Sequence, residues 1–209
     1  TGLDSRIARP RLVQICDSST KAESRVVYVF DLFKVSEDST KKLLELIDSR
    51  EMLIGHNLYF DLQFLLNMGL DYKGKIFCTM IAEFSPKIQK AYFADVSNSL
   101  KAVAERRLDL EIDKSQQVSD WSKEQLDTEQ VEYAAGDVAI LPAIASSQLA
   151  ELTEENLLGV FGLESKIINT VAKMSYTGFN VDVIKLKALE ARIKQELDEL
   201  TKLFCEDLD

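Results

Sequence analysis

The sequence predicts an α/β domain followed by a short all-helical extension, and three observations carry that prediction. Strand-like and helix-like apolar periodicities alternate through residues 1–150, the pattern of helices packed on a sheet. Glycine and proline are scarce, 8 and 3 in 209 residues, which disfavours loop-rich, collagen-like and all-β repeat architectures. Apolar side chains make up 46 % of the chain, enough for a real core, so disorder is a poor description.

Residues 11–16 (RLVQIC) and 25–30 (RVVYVF) are short, rich in β-branched and aromatic residues and bounded by polar clusters, as strands are. The second is apolar enough to read as a central strand, with Asp31 at its exit. Residues 39–49 place Leu43, Leu44, Leu46 and Ile47 at helical spacing. Residues 52–54 are a short apolar run before Gly55, and residues 57–68 are helical again, with Leu58, Leu62 and Leu65 on one stripe. A short strand at 76–78, helices at 79–84 and 99–107, and one long helix at 128–149 complete the alternation. Beyond the polar segment 151–156 (ELTEEN) the pattern changes to two helical runs, 160–174 and 183–208, separated by residues 176–183 (YTGFNVDV). The expected division is therefore one domain at 1–155 and a helical part at 156–209.

The net charge of −10 is unusual for a protein that neutralises many phosphates with Lys and Arg, so binding to a polyanion would need metal ions. No stretch approaches the ~18 consecutive apolar residues of a membrane span, and residues 1–10 lack the apolar core of a signal peptide. A cytoplasmic protein with no membrane partner is expected. Cys16, Cys78 and Cys205 are far apart and His56 is the single histidine, so neither a disulfide framework nor a zinc site is indicated. The chain opens at Thr1 rather than at methionine and closes inside an acidic amphipathic run; both ends read as cut from a longer polypeptide.

Two segments set a polar residue and an aspartate four apart on one helix face: Asn57-x-x-x-Asp61 and Tyr133-x-x-x-Asp137. The first face continues into Phe64, Leu65 and Met68, the second into Ile140, Leu141 and Ile144, so both carboxylates stand where an amphipathic stripe turns inward. An unpaired buried carboxylate is costly, and a divalent metal is a reasonable partner. Among 35 acids, however, an aspartate beside an apolar stripe is ordinarily a surface residue, and spacing alone decides little.

The local text is more specific. Residues 53–65 (LIGHNLYFDLQFL) followed by residues 131–141 (VEYAAGDVAIL) resemble the second and third exonuclease motifs of the DEDDy 3′–5′ exonucleases. Residues 113–121 (DKSQQVSDW) resemble the linker before the third motif, and residues 11–15 (RLVQI) resemble the second strand. Residues 164–182 (ESKIINTVAKMSYTGFNVD) look like the passage by which family A DNA polymerases enter the polymerase region. The resemblance implies a ribonuclease H-like mixed sheet with helices on both faces. It also implies a proofreading exonuclease that removes 3′-terminal nucleotides from single-stranded DNA ends as nucleotide monophosphates, with a polymerase region in cis.

Such hydrolysis is suited to two divalent ions, Mg²⁺ or Mn²⁺, held by hard carboxylate oxygens. By resemblance Asp137 ligates the ion that activates water, Asp61 holds the second ion, and the Tyr133 hydroxyl orients the nucleophile; an ordinary tyrosine pKa of about 10 suits positioning better than proton abstraction. Asn57 would hydrogen-bond the terminal nucleotide, with Leu3 and Phe60 against the last bases. His56 adjoins the motif, and Trp121 is expected to pack the linker.

The family's first motif, Asp-x-Glu, normally stands immediately before a string like residues 1–4 (TGLD), where this chain begins. Asp109-x-Glu111 comes too late in chain order to replace it, and Asp4, Asp17 and Asp31 read as structural or solvated. The 209-residue chain is therefore expected to bind Mg²⁺ or Mn²⁺ poorly and to be nearly inactive alone. Three other readings stand beside this one: a ribonuclease D or Werner-type exonuclease, a catalytically inactive exonuclease fold kept as a structural module of a polymerase, and a generic α/β protein with chance matches.

Overall fold

The computed structural model describes residues 2–18, 25–83, 97–113 and 115–206; Phe84 and residues 207–208, expected to be helical, lie outside them. The chain divides into two compact units, Thr1–Tyr176 and Thr177–Asp209.

In the first unit β1 (Leu12–Cys16) runs antiparallel to β2 (Val27–Asp31), with Leu12 opposite Asp31 and Cys16 opposite Val27. α1 (Glu37–Asp48) follows, its N-terminus capped by Ser36, whose hydroxyl accepts from the Ser39 amide at 3.2 Å. β3 (Met52–Gly55) leads into α2 (Leu58–Asn67) and is paired in parallel with β4 (Lys75–Cys78). α3 (Thr79–Ala82) and α4 (Leu100–Leu108) come next, then a 3₁₀ turn at Ser115–Val118. α5 (Thr128–Ala139), α6 (Leu141–Glu154) and α7 (Leu158–Thr177) complete the order.

The fold is mixed α/β, one strand pair antiparallel and the other parallel. Alternation along β4 sends Ile76 and Cys78 into one apolar cluster, with Leu43, Leu58 and Leu62, and Phe77 into another, with Ala82, Ala145 and Leu152. Helices therefore cover both faces of the parallel pair. α5 lies against β1 and β2, and α6 against β3, α3 and α4. Among the described residues β1 and β3 each pair along one edge only. Residues of both, including Gln14, Leu53 and Ile54, line the same grooves.

Two expectations are corrected, and the compact unit has a further extent. β2 is not central: among the described residues it pairs only with β1, and Tyr28 is 53 % exposed. Its apolar composition serves the face against α5. The long helix of residues 128–149 is two helices, because Pro142 in the first turn of α6 has no N–H to continue the ladder from α5. The first compact unit also runs past residue 155, since Ile168 and Ala172 of α7 are buried in the same cluster as Leu43 and Leu62.

The second unit is dominated by α8 (Val183–Glu206). Its polar side carries i,i+4 pairs such as Lys194–Glu190 at 2.7 Å. No helix among the described residues is long and apolar enough to cross a membrane.

Candidate active site

β3 ends at Gly55, and the close approach of the next helix explains why glycine stands there. A Cβ at this position would lie 2.4 Å from Leu58 Cδ2. The chain reverses through His56 and through Asn57, which takes the left-handed conformation at φ 59°, and α2 starts at once. This tight turn sets Phe60 and Asp61, in the first turn of α2, at the carboxyl end of the parallel strands.

α5 approaches the same place from another part of the chain. Its start is fixed by Gln130, fully buried, whose Oε1 accepts from the Asp127 amide at 3.0 Å while its Nε2 donates to Ser119 Oγ at 2.9 Å and to the Asp120 carbonyl at 3.1 Å. From that start Tyr133 and Asp137 share one face, and the Tyr133 hydroxyl donates to the Asp137 carboxylate. Asp61, Asp137, His56, Phe60, Gly2 and Val138 line one cavity of 510 Å³. Tyr133 and Asp137 also line a neighbouring pocket with Asp113, Glu129 and Glu132.

The electrostatics follow from crowding and charge. Asp61 is exposed to water at the cavity mouth, its base is crowded by the protein around it, and no salt bridge to it forms among the described residues. Burial pushes its carboxyl up, to about 7, while water at the cavity mouth offsets part of the penalty. Burial first, then the charge of Asp137 and the hydrogen bond to it, hold the Tyr133 phenol above its ordinary value. Burial pulls His56 below its ordinary value, opposed by the Asn98 backbone and the charge of Glu83. Its Nδ1 lies 2.9 Å from Thr79 Oγ1, a bond that orients the ring at the cavity wall.

The structure thus brings together Asp61, Asp137, Phe60 and His56 in one cavity, with Tyr133 joined to it through Asp137. Phe60 packs against Phe64 with ring centroids 5.0 Å apart. Asn57 forms the turn rather than the cavity lining, and its side chain does not cap α2. Leu3 is 85 % exposed and does not line the cavity, although its neighbour Gly2 does. Asp31 is engaged with Arg11, Nη2 to Oδ2 at 3.0 Å. Sequence reasoning missed Gln130, although its place three residues after Asp127 is a capping-box spacing that could have revealed it.

Two carboxylates at one cavity are hard oxygen donors of the kind that Mg²⁺ or Mn²⁺ accepts. Asp61 and Asp137 fit that role as a partial ligand set. Among the described residues no third His, Cys, Asp or Glu completes a metal cluster.

An α/β domain with helices on both sheet faces and carboxylates gathered at a strand end is the architecture of the exonuclease-fold nucleases. The chain belongs to the 3′–5′ exonuclease family, whose sequence profile matches residues 1–152. It is 32 % identical over 213 aligned positions to DNA polymerase I of Aquifex aeolicus (strain VF5), an alignment covering 91 % of this chain and 34 % of that protein. The chain therefore spans about a third of the length of this curated relative. Among solved structures, a nuclease in its apo form superposes with a TM-score of 0.71 at 25 % identity, covering 87 % of this chain and 84 % of the other. Brucella melitensis NrnC bound to pGG superposes with a TM-score of 0.68 at 26 % identity, covering 85 % and 81 %.

Proposed function

We propose that this chain is the proofreading 3′–5′ exonuclease part of a family A DNA polymerase, removing 3′-terminal nucleotides from single-stranded DNA ends. The observation that carries the reading is that Asp61 and Asp137, on helices far apart in sequence, line one cavity. The kinship to DNA polymerase I supports a polymerase region in cis. On this reading residues 156–209 include the helical start of that region.

Asp61 and Asp137 would hold the divalent ions. When bound, such ions neutralise the phosphate and supply hydroxide near neutral pH. Asp61 would have to give up its proton to serve as a ligand, since burial raises its carboxyl to about 7. The Tyr133 Oη keeps its proton, shared with Asp137, and its free lone pair orients the attacking water. Phe60 offers an aromatic face at the cavity wall for the terminal base, and stacking of that kind suits an enzyme blind to sequence. Asn57, in the turn before α2, and the exposed Leu3 would contact the terminal nucleotide as it enters.

With two carboxylates rather than a full cluster among the described residues, the chain would bind its ions weakly and turn over slowly. A 5′-labelled single-stranded DNA oligonucleotide incubated with excess Mn²⁺ is expected to give a ladder that shortens from the 3′ end. Asp61→Ala and Asp137→Ala should erase the ladder, and Tyr133→Phe should slow it by about 100-fold. Internal cuts, or a ladder unchanged by Asp137→Ala, would overturn the reading. The pGG-bound relative favours a second reading, a ribonuclease-type exonuclease acting on short RNA. Faster cleavage of a ribo-oligonucleotide than of DNA of the same sequence would select it.

A further inference from the structure

Arg11 stands immediately before β1, and its side chain is only 4 % exposed. Each of its five N–H donors has an acceptor. Nε and Nη2 form a two-pronged pair with Asp31 at the end of β2, at 3.1 and 3.0 Å. The other three donors leave the sheet: Nη1 reaches the carbonyls of Trp121, at 3.1 Å, and Lys123, and Nη2 reaches that of Glu124 at 3.3 Å. The Phe33 ring covers the guanidinium, 4.9 Å from its carbon. A buried guanidinium that exhausts its donors on one carboxylate and three carbonyls of one loop fixes that loop in a single geometry.

The loop so fixed is the one that leads into α5. Trp121, whose indole N–H donates to the Gln116 carbonyl at 3.1 Å, sets its ring 6.3 Å from that of Tyr133. The buried Gln130 ties the same loop to the first turn of α5 through Ser119 and Asp120.

We infer that Arg11, paired with Asp31, is a positioning residue for Tyr133: it pins residues 121–124 to the β1–β2 pair and thereby aligns the Tyr133 hydroxyl on Asp137. This rests on the proposed nuclease site and extends it to residues that touch neither substrate nor metal. Lysine cannot replace Arg11, because one ammonium brings three donors on a point charge where five are used in a plane.

Trp121 is the only tryptophan of the chain, so its emission reads the loop directly, whether or not the chain cleaves DNA. Arg11→Lys and Asp31→Asn, made separately in the 209-residue chain, are compared with the parent by far-ultraviolet circular dichroism, Trp121 emission, and Mn²⁺-dependent shortening of a single-stranded DNA oligonucleotide. The expected result is unchanged secondary structure, red-shifted emission, and a kcat lowered by about tenfold with KM nearly unchanged, as misplacement of a positioned group demands. Unshifted emission in the folded variants overturns the inference whatever the activity. Shifted emission with full kcat overturns it too, as does a loss confined to KM. Shifted emission in a chain whose parent shows no nuclease activity removes the proposed function while leaving the loop clasp in place. Should Arg11→Lys fail to fold, Asp31→Asn, which keeps the shape of the side chain, carries the test.

Discussion

Asp61 takes up a proton in the folded chain at a pH where the unfolded chain has already lost it. Its carboxyl moves from 3.8 to about 7 on folding, with burial as the main cause. Between these values the native state binds more protons than the unfolded one, so the Asp61 contribution to stability declines as pH rises through that window. Urea midpoints measured across the window without metal are expected to fall towards neutral pH, and Asp61→Asn should flatten that fall. An equal decline in the variant would show that another group governs it. Excess Mn²⁺ should restore neutral-pH stability, because a bound cation favours the ionised carboxylate. The four-residue spacing of Tyr133 and Asp137 was legible in the sequence because a helix face is a local property. The placing of Asp61 beside Asp137 was not, since α2 and α5 come from remote parts of the chain and meet only at the cavity.

At the scale of elements, the strands and most helices were readable from periodicity, and the departures have identifiable causes. β2 looked central because it is apolar, yet one covered face suffices to explain that composition. The break between α5 and α6 was announced by Pro142, whose missing donor outweighs a continuous apolar stripe. The polar segment 151–156, which suggested a boundary near residue 155, ends a helix without ending the compact unit. α7 returns, burying Ile168 and Ala172, and Asn169 Nδ2 donates to the Tyr72 carbonyl at 2.6 Å. A chain ending at Tyr176 is therefore expected to unfold cooperatively, like the full polypeptide. One ending at Glu155 should lose several kcal/mol, as removal of buried aliphatic side chains implies at about 2–5 kcal/mol each. Equal urea midpoints for the two truncations would contradict this assignment of α7.

At the scale of the whole molecule, the sequence carried the class of fold and the residues of the cavity further than composition allowed. The acidic charge of −10 argued against a phosphate-binding protein. On the proposed reading, carboxylates that recruit cations would reconcile that charge with the family to which the chain belongs. The edges of β1 and β3 that lack a strand partner among the described residues have a different outcome, felt between molecules. Backbone donors and acceptors on such an edge can be satisfied by another copy as readily as by water. Concentrated solutions of the chain should consequently grow cloudy at temperatures below the unfolding midpoint, earlier as more protein is added. Replacing Gln14, beside that open rim, with lysine should delay the clouding while leaving the midpoint in place, and light scattering set against circular dichroism would separate the two events.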